Sequence, residues 1–266
     1  MRIQAISVNH GTNEYAELML RSLLAHHRDH PDLDVSLLCS GDEDLTPFDW
    51  ATTQGVDVTH TGYPLDVPVT THGEILRDAV LAKPDTDAYL FVDADVCFTA
   101  DHTIDTMADE LEADDDTFAI QARWLLEDGT EFVGSDAVQT PWIRQSVRPG
   151  ADQPWSDPVE YQVTIGDRVH PFCTLIRNNP VFRSVVQNVG LSPAMTECVN
   201  GGRWWDTLGL LTQVMKTHGQ TWRRSKAGVQ HFGSVSFSQD WAKEKAARRD
   251  ALLEHYRNVT TRVRGT

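Results

Sequence analysis

Cysteine is scarce and scattered. The four cysteines of the 266-residue chain, Cys39, Cys97, Cys173 and Cys198, form no Cys-x-x-Cys and no clustered His/Cys set. This excludes a disulfide framework and a zinc site of the usual spacing; buried free thiols in a reducing compartment are expected. No apolar stretch approaches the roughly eighteen residues that a membrane span needs. Met1 opens straight into the folding pattern with no leader segment, so a cytoplasmic protein is expected. Lysine is also rare, 5 against 18 arginines, and the 23 basic residues are outnumbered by 39 acidic ones, for a net charge of −16. Such a body repels a nucleic-acid backbone, which excludes DNA or RNA binding as its main business. The absence of any repeat, with 17 Gly, 12 Pro and 8 Trp, excludes collagen, coiled coil and wholesale disorder.

What is there begins with an uneven charge. Asp85 to Asp116 holds twelve carboxylates and no Lys or Arg, whereas residues 221–266 hold ten basic residues and four acidic ones. The first half alternates strand and helix. Ile3–Val8 is an apolar run ending in Asn9-His10-Gly11; Tyr15, Leu18, Met19, Ser22 and Leu23 then follow at helical spacing before Pro31. Val35–Cys39 is a second run, closed by Ser40-Gly41-Asp42, and Val56–Thr59 is a weaker third. Gly73–Ala82 reads as a helix stopped by Lys83-Pro84, ahead of a buried strand Tyr89–Val92. Beyond it the pattern predicts an acidic helix His102–Glu112, a strand Phe118–Ala122 and a loop-rich stretch to Gly166 carrying Trp124, Trp142 and Trp155. An apolar run His170–Ile176, a helix Thr207–His218 stopped by Gly219, and a charged helix Ser238–Arg257 complete it. This order implies an α/β fold with a mostly parallel sheet covered by helices on both faces, and ligands at the carboxyl ends of its strands. No linker cuts the chain, so a single domain over 1–266 is expected.

The sharpest feature is Tyr89-Leu90-Phe91-Val92-Asp93-Ala94-Asp95-Val96, a buried strand running into two carboxylates one residue apart. With a period of two, Asp93 and Asp95 project to one side, their Cα atoms about 6.6 Å apart. Both can then converge on one cation, and oxygen donors of this type suit Mg2+, Mn2+ or Ca2+ rather than zinc. The alternative is one Asp capping the next element and one solvated. Phosphohydrolases of the haloacid-dehalogenase type also place Asp-x-Asp after a hydrophobic strand, with the first Asp as nucleophile. That fold opens with this strand and needs a downstream Lys. Here two or three strand-helix units come first, and no Lys stands between Lys83 and Lys216. His72-Gly73, at the expected start of a helix with Arg77 one turn on, offers backbone N–H groups to a phosphate, or is plain scaffold.

Three blocks carry a resemblance: ISVNHGTNEYAELMLRSLL at the start, THGEILRDAVLAKPDTDAYLFVDADVCF in the middle and, more loosely, HPFCTLIR, WWDTLGLL and QHFGSVSF beyond. The chain resembles the GT-A-fold nucleotide-sugar glycosyltransferases of the broad family-2 type, with Asn9-His10-Gly11 where the family usually has Pro after the first strand. The resemblance implies a Rossmann-like GT-A sheet, a nucleotide-sugar-binding half over 1–122, an acceptor-binding half over 123–237 and a C-terminal charged helix over 238–266. It implies a hexosyltransferase that uses Mn2+ or Mg2+ to move sugar from a UDP- or GDP-sugar to a hydroxyl acceptor, with inversion. Asn9 and His10 would lie near the nucleobase or ribose, and Asp42 would accept from the base edge, each being otherwise ordinary turn chemistry. Asp93 would meet the donor and, with Asp95, the metal, and His231 in Gln230-His231-Phe232-Gly233 would complete the metal or diphosphate contacts.

Asp206 stands where the family carries its base. An inverting transfer needs a carboxylate opposite the leaving group, although an Asp opening a helix also caps it. Trp204 and Trp205 flank Asp206 and could stack the acceptor's C–H face. The basic residues Arg223, Arg224, Lys226, Arg248 and Arg249 could close over the diphosphate, touch a membrane-borne acceptor or, the preferred reading, solubilise a helix. A GT-A fold that binds metal or sugar without turnover is the non-enzyme alternative. On charge alone, an anionic donor reaches Asp93 and Asp95 only with a cation between them.

Overall fold

The computed structural model describes residues 1–41, 44–63, 68–132, 168–198, 201–233 and 239–262, with four two-residue strands between 132 and 168. In chain order the elements are β1 (Ile3–Asn9), α1 (Asn13–His27), β2 (Leu33–Cys39), a 3-10 turn Thr46–Phe48 leading into α2 (Asp49–Thr52), β3 (Asp57–His60), α3 (Pro68–Ala82) and β4 (Ala88–Asp93). Then come β5 (Val96–Cys97), α4 (Thr103–Glu112), β6 (Thr117–Leu125), and the short strands β7 (Val138–Gln139), β8 (Trp142–Ile143), β9 (Val159–Glu160) and β10 (Val163–Thr164). The chain continues through β11 (Cys173–Arg177), α5 (Pro180–Asn188), β12 (Ala194–Cys198), β13 (Gly201–Trp205), α6 (Gly209–Thr217), β14 (Thr221–His231) and α7 (Gln239–Arg262).

Eight strands form one sheet in the order β3-β2-β1-β4-β11-β6-β14-β5. The block β3-β2-β1-β4 is parallel throughout, β6 and β14 are parallel to each other, and β11 and β5 run antiparallel to their neighbours. The sheet is therefore mostly parallel, as the strand-helix alternation requires. Strand alternation divides its faces. Ile3 and Ala5 of β1, with Leu90 and Val92 of β4, pack on Met19, Leu20 and Leu23 of α1 and Ile104, Met107 and Leu111 of α4. Ile6 and Val8, with Tyr89 and Phe91, pack on Ile75, Leu76 and Val80 of α3, Phe182 and Val186 of α5, and Leu211 and Met215 of α6. Burial on both faces is why β1 and β4 read as unbroken apolar runs.

Several boundaries differ from expectation. Helix α3 starts at Pro68 rather than Gly73, because Pro suits a first helical position, where no N–H is needed. Strand β6 continues three residues past Ala122, so Trp124 lies on a strand and not in a loop. Helix α6 begins at Gly209. Helix α5 was not anticipated, although Asn179 caps it by accepting from the Phe182 N–H at 2.8 Å ahead of Pro180. Nor was β14: Thr-Trp-Arg-Arg-Ser-Lys is too polar to announce a strand, and it exists because it pairs along β6 with two register shifts. Cys39, Cys97 and Cys173 are buried free thiols, as their apolar surroundings predict. Among the described residues no helix is long and apolar enough to cross a membrane.

Candidate active site

Strand β4 delivers Asp93 to the carboxyl edge of the sheet, where its backbone N–H donates to the Phe172 carbonyl at 2.8 Å. The chain then turns through Asp95 into β5, whose two residues pair antiparallel with the end of β14, Val96 opposite His231 and Cys97 opposite Gln230. The Phe232 N–H donates to the Asp95 carbonyl at 3.0 Å. These bonds bring together residues 136 positions apart. His231 Nε2 lies 3.0 Å from Asp95 Oδ1 and 3.5 Å from Asp93 Oδ2. The three side chains offer ligand atoms within 4.8 Å of one another.

The imidazole is fixed by aromatic packing. It stacks on Phe172, ring centroids 5.0 Å apart at 9°, and lies against Trp124 at 4.3 Å. Trp124 also explains the next glycine. Gly233 has φ +68°, and a Cβ there would meet the indole at 2.9 Å. Burial governs the ionisation of the group. It pushes Asp93 up to about 7, against the pull of His231 and with the charges of Asp95 and Asp206 adding to the rise. Burial also pushes Asp95 upward, but the charge and hydrogen bond of His231 outweigh it and hold Asp95 below the usual carboxylate range. His231 is raised for the reciprocal reason: burial lowers it, and the Asp95 and Asp93 charges more than reverse that.

On the other side of Asp93, His72 Nε2 stands 3.9 Å from Oδ1, and His10 meets the His72 ring edge-on at 6.3 Å. Both ring nitrogens of His10 are buried without a hydrogen-bond partner. Desolvation lowers His10 to about 4 and His72 to about 3. His72 and Gly73 sit inside α3, which begins at Pro68, and not at its N-terminus as the sequence suggests. Gly73 serves packing instead, since a Cβ would come within 2.4 Å of the Ser192 Cα. Arg77 points away, donating from Nε to the Val186 carbonyl at the end of α5 (2.9 Å). Asn9 is occupied by the β1–α1 turn, accepting from the Thr12 N–H at 2.9 Å and donating to Asn13 at 2.7 Å. Asp42 lies outside the described residues.

Asp206 is not a helix cap. The residue before α6 is Leu208, at φ +64°, and no side chain caps the helix. One Asp206 oxygen accepts the Thr207 N–H at 2.8 Å; the other is held by the buried Arg168, whose guanidinium also donates to the Thr207 carbonyl at 2.9 Å. A left-handed non-Gly residue costs about 1–2 kcal/mol, and the Leu208 N–H bond to the Leu191 carbonyl helps hold it. Trp204 and Trp205 end β13 in a hairpin opposite Met195 and Ala194, directly before Asp206. Arg168, Phe172 and Trp124 were not singled out from sequence. A lone arginine carries no motif, Phe172 lies within an apolar run, and Trp124 was expected in a loop.

Among the described residues, five arginines of the basic end have partners. Arg223 pairs with Asp114, Arg224 Nη1 lies 3.4 Å from Glu131, and Arg257 Nε lies 2.9 Å from Glu17. Arg248 donates to Gln230 at 2.6 Å, and Arg249 stacks over Tyr15 and bonds Asp250. Arg223, Arg224 and Arg257 thus face carboxylates of the acidic body while staying largely exposed to solvent.

No protein-family model and no curated protein matches the sequence. Solved structures do. S. aureus TarS 1–349 superposes with a TM-score of 0.53 at 16% identity, over 97% of this chain and 71% of that one. The same protein in complex with UDP-GlcNAc gives 0.52 at 13%, over 86% and 58%. The mannosyltransferase PcManGT from Pyrobaculum calidifontis, in complex with GDP-Man and Mn2+, gives 0.51 at 13%, over 100% and 75%. With its mostly parallel sheet and Asp93 and Asp95 at the edge of β4, the chain has the GT-A fold of these glycosyltransferases.

Proposed function

We propose that the protein is a metal-dependent glycosyltransferase that moves a hexose from a UDP- or GDP-sugar to a hydroxyl acceptor with inversion. The observation that carries this reading is the convergence of Asp93, Asp95 and His231 at the carboxyl edge of β4, in a fold shared with a TarS that binds UDP-GlcNAc and a mannosyltransferase that binds GDP-Man and Mn2+. Two carboxylates and one imidazole within 4.8 Å fit Mn2+ or Mg2+. When bound, the cation would neutralise the diphosphate as it leaves.

The rest is the work of this chain's residues. Asp206 takes the proton of the acceptor hydroxyl as the oxygen attacks the anomeric carbon and the bond to the diphosphate breaks. Arg168 fixes the Asp206 carboxylate and its turn. His10 and His72, uncharged at neutral pH because burial disfavours their imidazolium forms, line the donor side, and Asp42 reads the base edge. Phe172 and Trp124 shield His231 from water. Trp204 and Trp205 stack the acceptor beside the base. The donor half of the site is built by residues 1–122.

A thermal-shift panel of nucleoside diphosphates with and without Mn2+ tests the reading, with a metal-dependent rise for one base expected. 31P NMR then follows the matching sugar nucleotide. Release of phosphate from simple phosphomonoesters would mean a phosphohydrolase. Mn2+ binding lost in Asp93→Asn, with no donor turnover in the unaltered protein, would mean an inactive module.

A further inference from the structure

The ladder that brings His231 to Asp95 is short and lies at the sheet edge. It consists of the Val96–His231 and Cys97–Gln230 pairs and the Phe232 N–H bond to Asp95. Strand pairs this small are marginal without packing behind them. The packing comes from α7, the last element. Leu253 and Tyr256 bury against Cys97, Phe232, Tyr15 and Leu18. The Tyr256 hydroxyl donates to the Phe98 carbonyl at 2.7 Å, which grips the β5 side. On the β14 side Arg248 donates to Gln230 and lies over the Phe232 ring at 4.8 Å. Lys245 Nζ donates to the carbonyls of Phe232 and, at 2.7 Å, Gly233, the two residues that follow His231.

We propose that Lys245 is a positioning residue for the cation site. Its ammonium, with Arg248 and Tyr256, locks the β5–β14 ladder in the register that makes His231 and Asp95 meet, so that α7 docking and cation binding reinforce each other. The proposal rests on the reading of Asp93, Asp95 and His231 as that site. Coupling of this kind is reciprocal: if docked α7 tightens cation binding, bound cation tightens α7. It also gives the basic C-terminal end a task that a solvated helix lacks.

The test uses the full chain and Mn2+ alone, with free Mn2+ read by electron paramagnetic resonance. Lys245→Met is expected to weaken Mn2+ binding roughly tenfold or more, the scale on which supporting contacts act. Lys245→Arg should recover part of the loss, and Lys243→Met, at an exposed position of the same helix, should leave affinity unchanged. Hydrogen exchange of the unaltered protein supplies a readout that needs no variant to fold: Mn2+ should slow the amides of α7. Unaltered Mn2+ affinity in Lys245→Met, or α7 amides indifferent to Mn2+, overturns the proposal while leaving the site reading intact. Mn2+ binding that survives Asp95→Asn removes the site itself and the proposal with it.

Discussion

The two oxygens of Asp93 have different neighbours, Oδ2 facing His231 at 3.5 Å and Oδ1 facing His72 at 3.9 Å. Burial holds this carboxyl near 7, so at neutral pH a proton competes with any cation for it. Mn2+ affinity should therefore fall as pH drops below 7, by about tenfold per pH unit for each displaced proton, as calorimetric titration at stepped pH would show. Asp206 carries a different load. Asp206→Asn should lower kcat by roughly 10²–10⁴-fold while donor and Mn2+ affinity stay within twofold or so; equal losses in donor binding would make it a structural residue. Asp93 and Asp95 were legible at this scale because a buried strand ending in paired carboxylates has few cheap structural explanations. Arg168 was not, because its meaning comes only from lying against Asp206, 38 residues away.

At the scale of elements, apolar period located β1, β2, β4 and α1 to within a few residues. It failed where an element is built by its partner. Strand β14 is polar and partly exposed, and only its ladder to β6 makes it a strand. Helix α3 shows a subtler error. Gly73 read as a helix start, whereas it lies within the helix, at a point where residues 191–192 pass too close for any Cβ. Gly73→Ala should cost about 1–3 kcal/mol despite the better helix propensity of Ala, since the clash is with backbone that cannot rotate away. Urea unfolding with an unchanged slope would measure it, and a gain in stability would show that the 191–192 segment moves freely.

Across the whole molecule the charge asymmetry closes on itself: the acidic body and the basic end meet at Asp114–Arg223, Glu131–Arg224 and Glu17–Arg257. Buried histidines set the acid limit. Burial holds His10 and His27 near 4 and His72 near 3, against 6.5 for the free side chain. The unfolded chain takes up these protons first, so the stability the neutral rings contribute is complete above pH 6.5 and drains as pH falls toward 4. His231, raised, acts in the opposite sense. Scanning calorimetry of metal-free protein should show the midpoint falling over that window, less steeply in His27→Asn. The sequence by itself determined the α/β class, the order of the first strands and the Asp93–Asp95 pair, because hydrophobic period and strand alternation are local properties. Only the tertiary structure brought His231, which the resemblance names, within 3.0 Å of Asp95, set Arg168 against Asp206 and packed the C-terminal helix behind β5 and the end of β14. Those contacts join residues 38 to 158 positions apart, and no local pattern encodes which distant segment packs against which.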